Sequence, residues 1–193
     1  MKVLLFLAKG FEHMETGVFI DVLGWARCRF DHNVELVTCG FTRQVVSTFN
    51  VPVIVDTVIE NIDVDEFDAM AIPGGFWDFG FFEEAYDARF LDLIRQFNAK
   101  GKIIASVCVA ALALGKSGIL KGKNATTYHL DGGKRQGELK EFGATVLNEP
   151  VVVDENIITS YCPETAIKVA FALLEKLITP KKAQQVKEAM GYS

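Results

Sequence analysis

The sequence carries no excess of basic residues and no basic stretch. Its 193 residues include 20 Lys and Arg against 25 Asp and Glu, which gives a formal net charge of −5. A chain that neutralises the phosphate backbone of a nucleic acid normally has a basic patch or stripe. We therefore expect no nucleic-acid partner.

The sequence also lacks a long apolar run. The longest uncharged stretch, around residues 103–115, is shorter than the ~18 to 20 residues that a membrane-spanning helix needs. The first apolar run, residues 3–8, is short for the core of a signal peptide, and no small-residue cleavage site follows it. We expect a protein without a membrane segment that is not secreted and works in the cytoplasm.

Cysteine and proline are scarce. The four cysteines, Cys28, Cys39, Cys108 and Cys162, show neither a CxxC spacing nor a histidine at zinc-ligand spacing. In a chain without an export signal they are expected to be reduced thiols, and neither a metal nor a cofactor is expected. With 5 prolines and 50% apolar residues, the composition excludes disorder and predicts a single folded domain over residues 1–193.

Apolar runs alternate with helical patterns along the chain. Residues 3–7 are continuously apolar, as in a central parallel strand covered on both faces, and residues 14–26 show the spacing of an amphipathic helix. The other predicted strands are residues 35–38, 67–72, 102–107, 125–129, 145–147, 151–153 and 157–160, with a hairpin at 45–47 and 53–55. The other predicted helices are residues 90–97, 109–114 and 134–142, and one final helix that begins at Pro163. The alternation predicts an α/β fold with a mainly parallel sheet sandwiched by helices.

Three segments are expected to meet at the carboxyl ends of the strands, where reactive groups of such sheets collect. They are residues 9–15, the glycine turn at 73–75, and Cys108 after the strand at 102–107. A cysteine at a strand-to-helix turn is predicted to point its sulfur at solvent and to face unpaired N–H groups, which makes the thiol acidic and reactive. The alternative is that Cys108 is a small buried apolar residue.

Five short segments together resemble one family. They are residues 7–16 (LAKGFEHMET), 72–75 (IPGG), 105–110 (ASVCVA), 125–127 (ATT) and 158–160 (ITS), and they span nearly the whole chain. In this order they resemble the ThiJ/PfpI superfamily, and within it the branch of the parkinsonism-linked protein deglycase. The resemblance implies a flavodoxin-like, doubly wound fold of the class I glutamine amidotransferase type and a homodimer. It also implies that Cys108 is the nucleophile and that Glu15 supplies a carboxyl group hydrogen-bonded to it.

The chemistry of this pair is consistent with that assignment. A carboxyl group beside a thiolate has its pKa raised by burial and by the like charge, so Glu15 can stay protonated and donate a hydrogen bond to sulfur. The alternative is a solvated glutamate at the start of a helix. Gly74 and Gly75 allow the backbone to approach a ligand, and the N–H groups of Gly75 and Val109 are the candidate oxyanion hole. The alternative for the glycines is an ordinary tight turn.

The sequence departs from the family pattern at several positions. Tyr128 stands where many relatives have a histidine, and His129 on a strand would point the opposite way from Tyr128. Val109 follows the nucleophile where intracellular peptidases of the superfamily have a histidine, so peptidase activity is not expected. His13 is a further possible pocket residue. Tyr161 replaces an arginine of the deglycase branch, which removes an anchor for anionic substrates.

Aromatic residues are dense directly after the glycine turn. These residues are Phe76, Trp77, Phe79, Phe81 and Phe82. They either line a pocket or form a dimer contact. The alternative is that they belong to the core, which is the usual place for aromatic residues.

Three functions remain open at this point. The leading one is a cysteine-dependent enzyme that acts on small carbonyl compounds or their adducts, of glyoxalase or deglycase type. The second is a redox sensor or stress-response protein without catalysis, in which Cys108 is oxidised to a sulfinate. Amidotransferase or hydratase chemistry is less favoured, because no histidine–acid pair follows at a recognisable spacing. The expected partner is a small electrophilic molecule.

Overall fold

The computed structural model describes residues 1–192. Within that range the strands are β1 (Lys2–Phe6), β2 (Glu35–Gly40), β3 (Gln44–Val46), β4 (Pro52–Ile54), β5 (Thr57–Val58), β6 (Ala69–Ile72), β7 (Ile103–Ser106), β8 (Asn124–Ala125), β9 (Thr145–Val146), β10 (Val151–Asp154) and β11 (Ile157–Ser160). The helices are α1 (His13–Arg29), α2 (Phe81–Ala85), α3 (Ala88–Ala99), α4 (Ala111–Ser117), α5 (Lys134–Glu141), α6 (Ala166–Leu177) and α7 (Pro180–Ala189).

Seven strands form the central sheet in the order β10-β11-β7-β6-β1-β2-β5. Every neighbouring pair is parallel except β10 and β11, which are antiparallel at one edge. The central strands β1 and β6 are almost completely buried, because helices cover both faces of the sheet. The predicted α/β fold with a mainly parallel sheet is confirmed, and so is the predicted hairpin, which is formed by β3 and β4.

The helices pack in two groups. Helix α1 packs against α6 and α7, while α3 packs against α4 and α4 against α5. Beneath them the core is rich in phenylalanine, and the rings of Phe6 in β1 and Phe90 in α3 stack with their centroids 3.9 Å apart. Stacked aromatic pairs contribute about 0.5–1.5 kcal/mol beyond the area that they bury. This pair therefore fixes α3 over the strand that leads to residues 7–12.

Two predicted elements differ from the structure. The strand predicted at 125–129 ends at Ala125, and the next N–H, that of Thr126, donates to the hydroxyl of Thr159. The prediction of a single final helix is wrong as well. Pro163 opens a short 3-10 turn that leads into α6, and Pro180 then begins α7, with the hydroxyl of Thr179 as its N-terminal cap.

Within residues 1–192 no helix has both the length and the apolar character required to cross a membrane.

Candidate active site

The carboxyl ends of β1, β6 and β7 meet at one edge, because β6 lies between the other two and all three are parallel. Two main-chain hydrogen bonds join the segments that follow β1 and β6. Glu12 N–H donates to Gly74 O over 2.8 Å, and Phe76 N–H donates to Gly10 O over 3.1 Å. The bonds flank Gly75, which faces Phe11 in an antiparallel bridge. In a bridge of this pattern the N–H of the central residue points away from the partner segment.

Both glycines of the turn are required by close contacts. A Cβ atom on Gly75 would lie 2.2 Å from Gly10 O, and one on Gly74 would lie 2.9 Å from Val107 O. On Gly74 it would also lie 3.0 Å from both Cys108 Cβ and Glu15 Oε2. The turn therefore brings the backbone against the proposed nucleophile and its carboxyl neighbour, which any larger residue would prevent.

Cys108 occupies a strained position. Its φ is +57°, in the left-handed region that residues other than glycine rarely adopt, and the 3-10 turn Cys108–Ala110 leads from β7 into α4. The Thr127 hydroxyl donates to Cys108 O over 2.8 Å and holds this turn. Only 8% of the residue is exposed, at the bottom of a pocket. The sulfur is therefore not directed at bulk solvent as predicted, because the segments after β1 and β6 cover it.

Glu15 is almost fully buried in the first turn of α1. Its Oε2 accepts a hydrogen bond of 2.5 Å from Gly74 N–H, so Gly74 is not available as an oxyanion donor. Burial is the main reason that the pKa of Glu15 is raised to about 8. The expected rise is confirmed, and Glu15 is therefore mostly protonated at neutral pH. Within residues 1–192, Oε1 accepts no N–H or O–H bond.

The thiol of Cys108 is less acidic than predicted. Burial raises its pKa well above the ordinary value, and a negative charge on Glu15 raises it further, whereas the Val109 N–H lowers it by donating to the sulfur. The N–H group of the turn lowers the pKa of the thiol as expected, but burial raises it by more. Since a proton on Glu15 removes the like charge, the buried pair holds at most one negative charge near neutral pH.

A cavity of about 240 Å³ opens above the pair and is called the Cys108 pocket here. Eight of the predicted residues line it: Glu15, Gly75, Phe76, Trp77, Phe82, Cys108, Val109 and Tyr128. Five further lining residues were not predicted from the sequence: Glu12, Asp78, Asp131, Arg135 and Pro163. The volume is below the ~300 to 1,000 Å³ of pockets for drug-sized ligands, so the pocket suits a small substrate.

Three predicted pocket residues are excluded from the lining. Nε2 of His13 lies 2.5 Å from the hydroxyl of Ser47, which turns the ring towards the β3–β4 hairpin. Tyr161 is buried, and its hydroxyl donates to the side chain of Asn148 over 2.7 Å. The ring of His129 stacks on Tyr161, so neither residue reaches the pocket.

The aromatic residues after the glycine turn divide between pocket and core. Phe76 and Trp77 are exposed and line the pocket together with Phe82, whereas Phe81 is fully buried in the core. Phe79 contacts Phe76 in an edge-to-face arrangement with the centroids 6.4 Å apart. The prediction of a pocket wall is therefore right for three of these residues.

A cationic side chain lines the pocket, whereas Tyr161 is not part of the lining. Arg135 of α5 reaches the wall, where its guanidinium lies over the ring of Phe82 at 5.0 Å. Nη1 of Arg135 also donates to both carboxylate oxygens of Glu138, at 3.0 and 2.9 Å. The positive charge is therefore largely compensated within α5.

Comparisons with known proteins agree with this geometry. The model of the DJ-1/PfpI family matches residues 1–176. Protein DJ-1alpha of Drosophila melanogaster is 33% identical over 195 residues, which cover 98% of this chain and 83% of that protein. A protein of Pyrococcus abyssi named as a deglycase is 27% identical over 164 residues, 84% of this chain and 91% of its own length. The crystal structure of Drosophila melanogaster DJ-1beta superposes with a TM-score of 0.86 at 28% identity, covering 100% of this chain and 98% of that one.

Proposed function

The chain belongs to the DJ-1/PfpI family, and we propose that it is a cysteine-dependent enzyme that acts on small carbonyl compounds or their adducts. One observation carries the proposal. Cys108 is held at a φ of +57° beneath an open pocket, with a buried carboxyl group beside its sulfur. Strained turns of this kind present nucleophiles in unrelated hydrolases. A small deglycase-like substrate is also consistent with the pocket volume.

We propose that Glu15 and Cys108 share one proton in the reactive state. Oε2 of Glu15 already accepts the Gly74 N–H, whereas Oε1 is buried and accepts no N–H or O–H bond within residues 1–192. A proton on Oε1 that is donated to a thiolate satisfies both groups. The Val109 N–H donates to the same sulfur and stabilises its negative charge.

The first step is addition of the thiolate to the carbonyl carbon. A C–S bond forms, the π electron pair moves to oxygen, and this oxygen takes the proton of Glu15. The Gly75 N–H, which points away from the Phe11 segment, is positioned to donate to the developing oxyanion. Because the Val109 N–H already donates to sulfur, we assign the oxyanion chiefly to Gly75.

The later steps need a proton acceptor. For a 2-oxoaldehyde, the carboxylate that Glu15 has become removes the proton from the former aldehyde carbon and returns it to the neighbouring carbon, while the hydroxyl proton passes to the oxygen of that neighbouring carbon. The resulting thioester reacts with water, which breaks the C–S bond, releases a 2-hydroxy acid and restores the thiol. For a carbinolamine adduct, the C–N bond breaks first as the hydroxyl proton moves to nitrogen, which releases the amine and leaves the 2-oxoaldehyde for the same steps.

The test is a turnover screen with carbonyl, ester and isonitrile compounds, run on the wild type and on Cys108→Ala. We expect turnover of a carbonyl compound that is lost in Cys108→Ala while the circular dichroism spectrum is retained. Equal turnover by both proteins would reject the nucleophile, and no turnover of any carbonyl compound would favour the second candidate.

The second candidate is a redox sensor in which Cys108 is oxidised to a sulfinate. The thiol of Cys162 lies near enough to Cys108 for its charge to raise the pKa of that thiol, which favours redox sensing because a second thiol can capture a sulfenate as a disulfide before it is oxidised to a sulfinate. At least two equivalents of hydrogen peroxide, followed by peptide mass mapping, distinguish the products, because each oxidation step from thiol to sulfenate to sulfinate consumes one equivalent. A sulfinate adds two oxygen atoms to Cys108, and a disulfide with Cys162 removes two hydrogen atoms.

We further propose a homodimer in the cytoplasm, where the four cysteines, which are free thiols within residues 1–192, stay reduced. Exposed apolar side chains on α1, those of Met14, Ile20 and Trp25, support an interface. Light scattering at micromolar concentration should give twice the mass of one chain. Ile20→Glu should shift the protein towards the monomer, whereas the exposed Glu175→Gln on α6 should not. A monomeric wild type would reject this proposal.

A further inference from the structure

Glu12 is a buried carboxylate that the proposed reaction does not use. Only 8% of the residue is exposed, and its side chain lines the Cys108 pocket. Its hydrogen bonds within residues 1–192 come from the main chain: the N–H donates to Gly74 O, and the C=O accepts from the N–H and the hydroxyl of Thr16. The carboxylate accepts no side-chain or main-chain hydrogen bond within residues 1–192, and the residue lines the pocket. Its oxygens are therefore free to accept hydrogen bonds from a donor group on a ligand in the pocket.

The other charged groups of the pocket do not compensate Glu12. Asp78 and Asp131 also line the wall and add negative charge. The one cation of the described lining, Arg135, is paired with both carboxylate oxygens of Glu138. Within a small pocket with low-dielectric walls, charges of one sign raise the local concentration of ligands of the opposite sign.

The walls favour the same kind of ligand. Phe76, Trp77, Phe82 and Tyr128 surround the opening above Cys108, and the face of an aromatic ring attracts a cation. Phe82 already has the guanidinium of Arg135 over its ring, at 5.0 Å. A substrate with a cationic nitrogen can therefore contact the remaining rings while its charge meets Glu12.

We propose that Glu12 binds an ammonium or guanidinium group of the substrate, so that the pocket selects electrophiles carrying a cationic nitrogen over electrophiles carrying a carboxylate. The inference deepens the proposed function, on which it rests for the position of the reacting atom, Cys108. Glu12 and Glu15 then have different tasks. Glu15 exchanges a proton with the thiol, and Glu12 accepts hydrogen bonds from the cationic group of the ligand.

The first experiment measures the charge preference of the thiol itself. Cys108 is modified with 2-aminoethyl methanethiosulfonate, which is cationic, and with 2-sulfonatoethyl methanethiosulfonate, which is anionic, and both rates are followed by peptide mass mapping. The exposed thiol of Cys28 in the same molecule supplies the reference ratio. At low ionic strength we expect the cationic reagent to be favoured at Cys108 by at least tenfold over that reference.

Two variants locate the origin of the preference. Glu12→Gln keeps the shape of the side chain and should reduce the preference at least threefold. Glu175→Gln removes an exposed carboxylate of α6 outside the pocket and should leave it unchanged. Equal normalised rates for the two reagents, or an unchanged preference in Glu12→Gln, would overturn the inference.

A second experiment does not depend on the reactivity of the thiol. In Cys108→Ala with Trp25→Phe, Trp77 is the remaining tryptophan, and its fluorescence reports binding of benzylamine or benzoate. We expect the dissociation constant of benzylamine to be at least fivefold lower, and Glu12→Gln to remove the difference. Benzoate binding as tightly as benzylamine would overturn the inference. If no carbonyl compound is turned over but the charge selectivity is intact, the proposed function is rejected and the proposed role of Glu12 is retained.

Discussion

The imidazole of His129 stacks on the ring of Tyr161, with the centroids 3.9 Å apart and the planes inclined by 27°. Tyr128, its neighbour in sequence, lines the pocket with Cys108. The two consecutive side chains therefore point to different sides of the backbone, although the strand that was predicted to cause this has ended at Ala125. The pocket therefore contains the phenol of Tyr128, while the imidazole of His129 lies outside it.

The first prediction concerns the phenol of Tyr128 in the pocket. Tyr128→His should raise the turnover of methylglyoxal at least tenfold, because an imidazole with a pKa near ~6.5 is a far better base at neutral pH than a phenol near ~10. His129→Ala should change turnover by less than about twofold, since the imidazole is stacked outside the pocket. Both variants are compared with the wild type across about pH 6 to 9. Loss of activity in a folded His129→Ala would make His129 the base.

The second prediction concerns the acid form of Glu15. If its proton is donated to the thiolate, Glu15→Leu should raise the pKa of Cys108 by about one pH unit or more, because a charge-assisted hydrogen bond is lost. Glu15→Gln keeps an N–H donor and should shift the pKa less. Ultraviolet titration of the thiolate measures both. A fall of the thiol pKa in Glu15→Gln would show that a carboxylate, and not a carboxylic acid, lies beside the sulfur.

The third prediction concerns stability. The pKa of Glu15 is raised in the folded protein, from 4.5 to about 8, so the protonated form is the one that the fold favours. The contribution of Glu15 to the free energy of unfolding should therefore be highest below about pH 4.5 and should fall as pH rises towards about 8, by at most about 1.4 kcal/mol per pH unit. Urea unfolding gives the free energy of unfolding of the wild type and of Glu15→Gln at each pH. The contributions of all other groups cancel in the difference between the two proteins.

In that experiment the proposed single domain predicts one unfolding transition. Two separated transitions would contradict the domain proposal. A wild-type stability that runs parallel to that of Glu15→Gln between about pH 5 and about pH 8 would show that Glu15 is not protonated on folding.

The fourth prediction contrasts two glycines. Gly75→Ala should destabilise the protein by roughly 2 kcal/mol or more, because the added Cβ would lie 2.2 Å from Gly10 O. Gly137→Ala in α5 is the matched change in open space, since its Cβ would have no neighbour among the described residues within 4 Å. It should stabilise by about 0.5–1 kcal/mol. Equal effects of the two changes in urea unfolding would contradict the packing of the glycine turn.

The central strands could be predicted because the apolar pattern that indicates them lies within the strand residues themselves. Residues 3–7 and 102–107 are apolar without interruption, which is typical of buried parallel strands. The end of β8 could not be predicted in this way. Beyond Ala125 the chain bonds to distant residues, since the Thr126 N–H donates to the hydroxyl of Thr159, 33 residues further along the chain.

The site shows the same division. Glu12 could have been considered from the sequence, because it lies in the segment 9–15 that was predicted to reach the carboxyl ends of the strands and is an acidic residue three positions before Glu15. Arg135 carries no such signal. Its place in the wall follows from how α5 packs against α4 and not from any feature of residues 134–141. The prediction that the sulfur of Cys108 faces solvent was wrong for a similar reason, since distant segments cover it.

The left-handed backbone of Cys108 has a consequence for how the chain evolves. A non-glycine residue at a φ of +57° costs about 1–2 kcal/mol, a cost that glycine does not incur. Relief of this strain favours glycine, whereas loss of a buried side chain opposes it. In a lineage that no longer needed the chemistry, the strain would have no function, so small residues other than cysteine could then occupy this position.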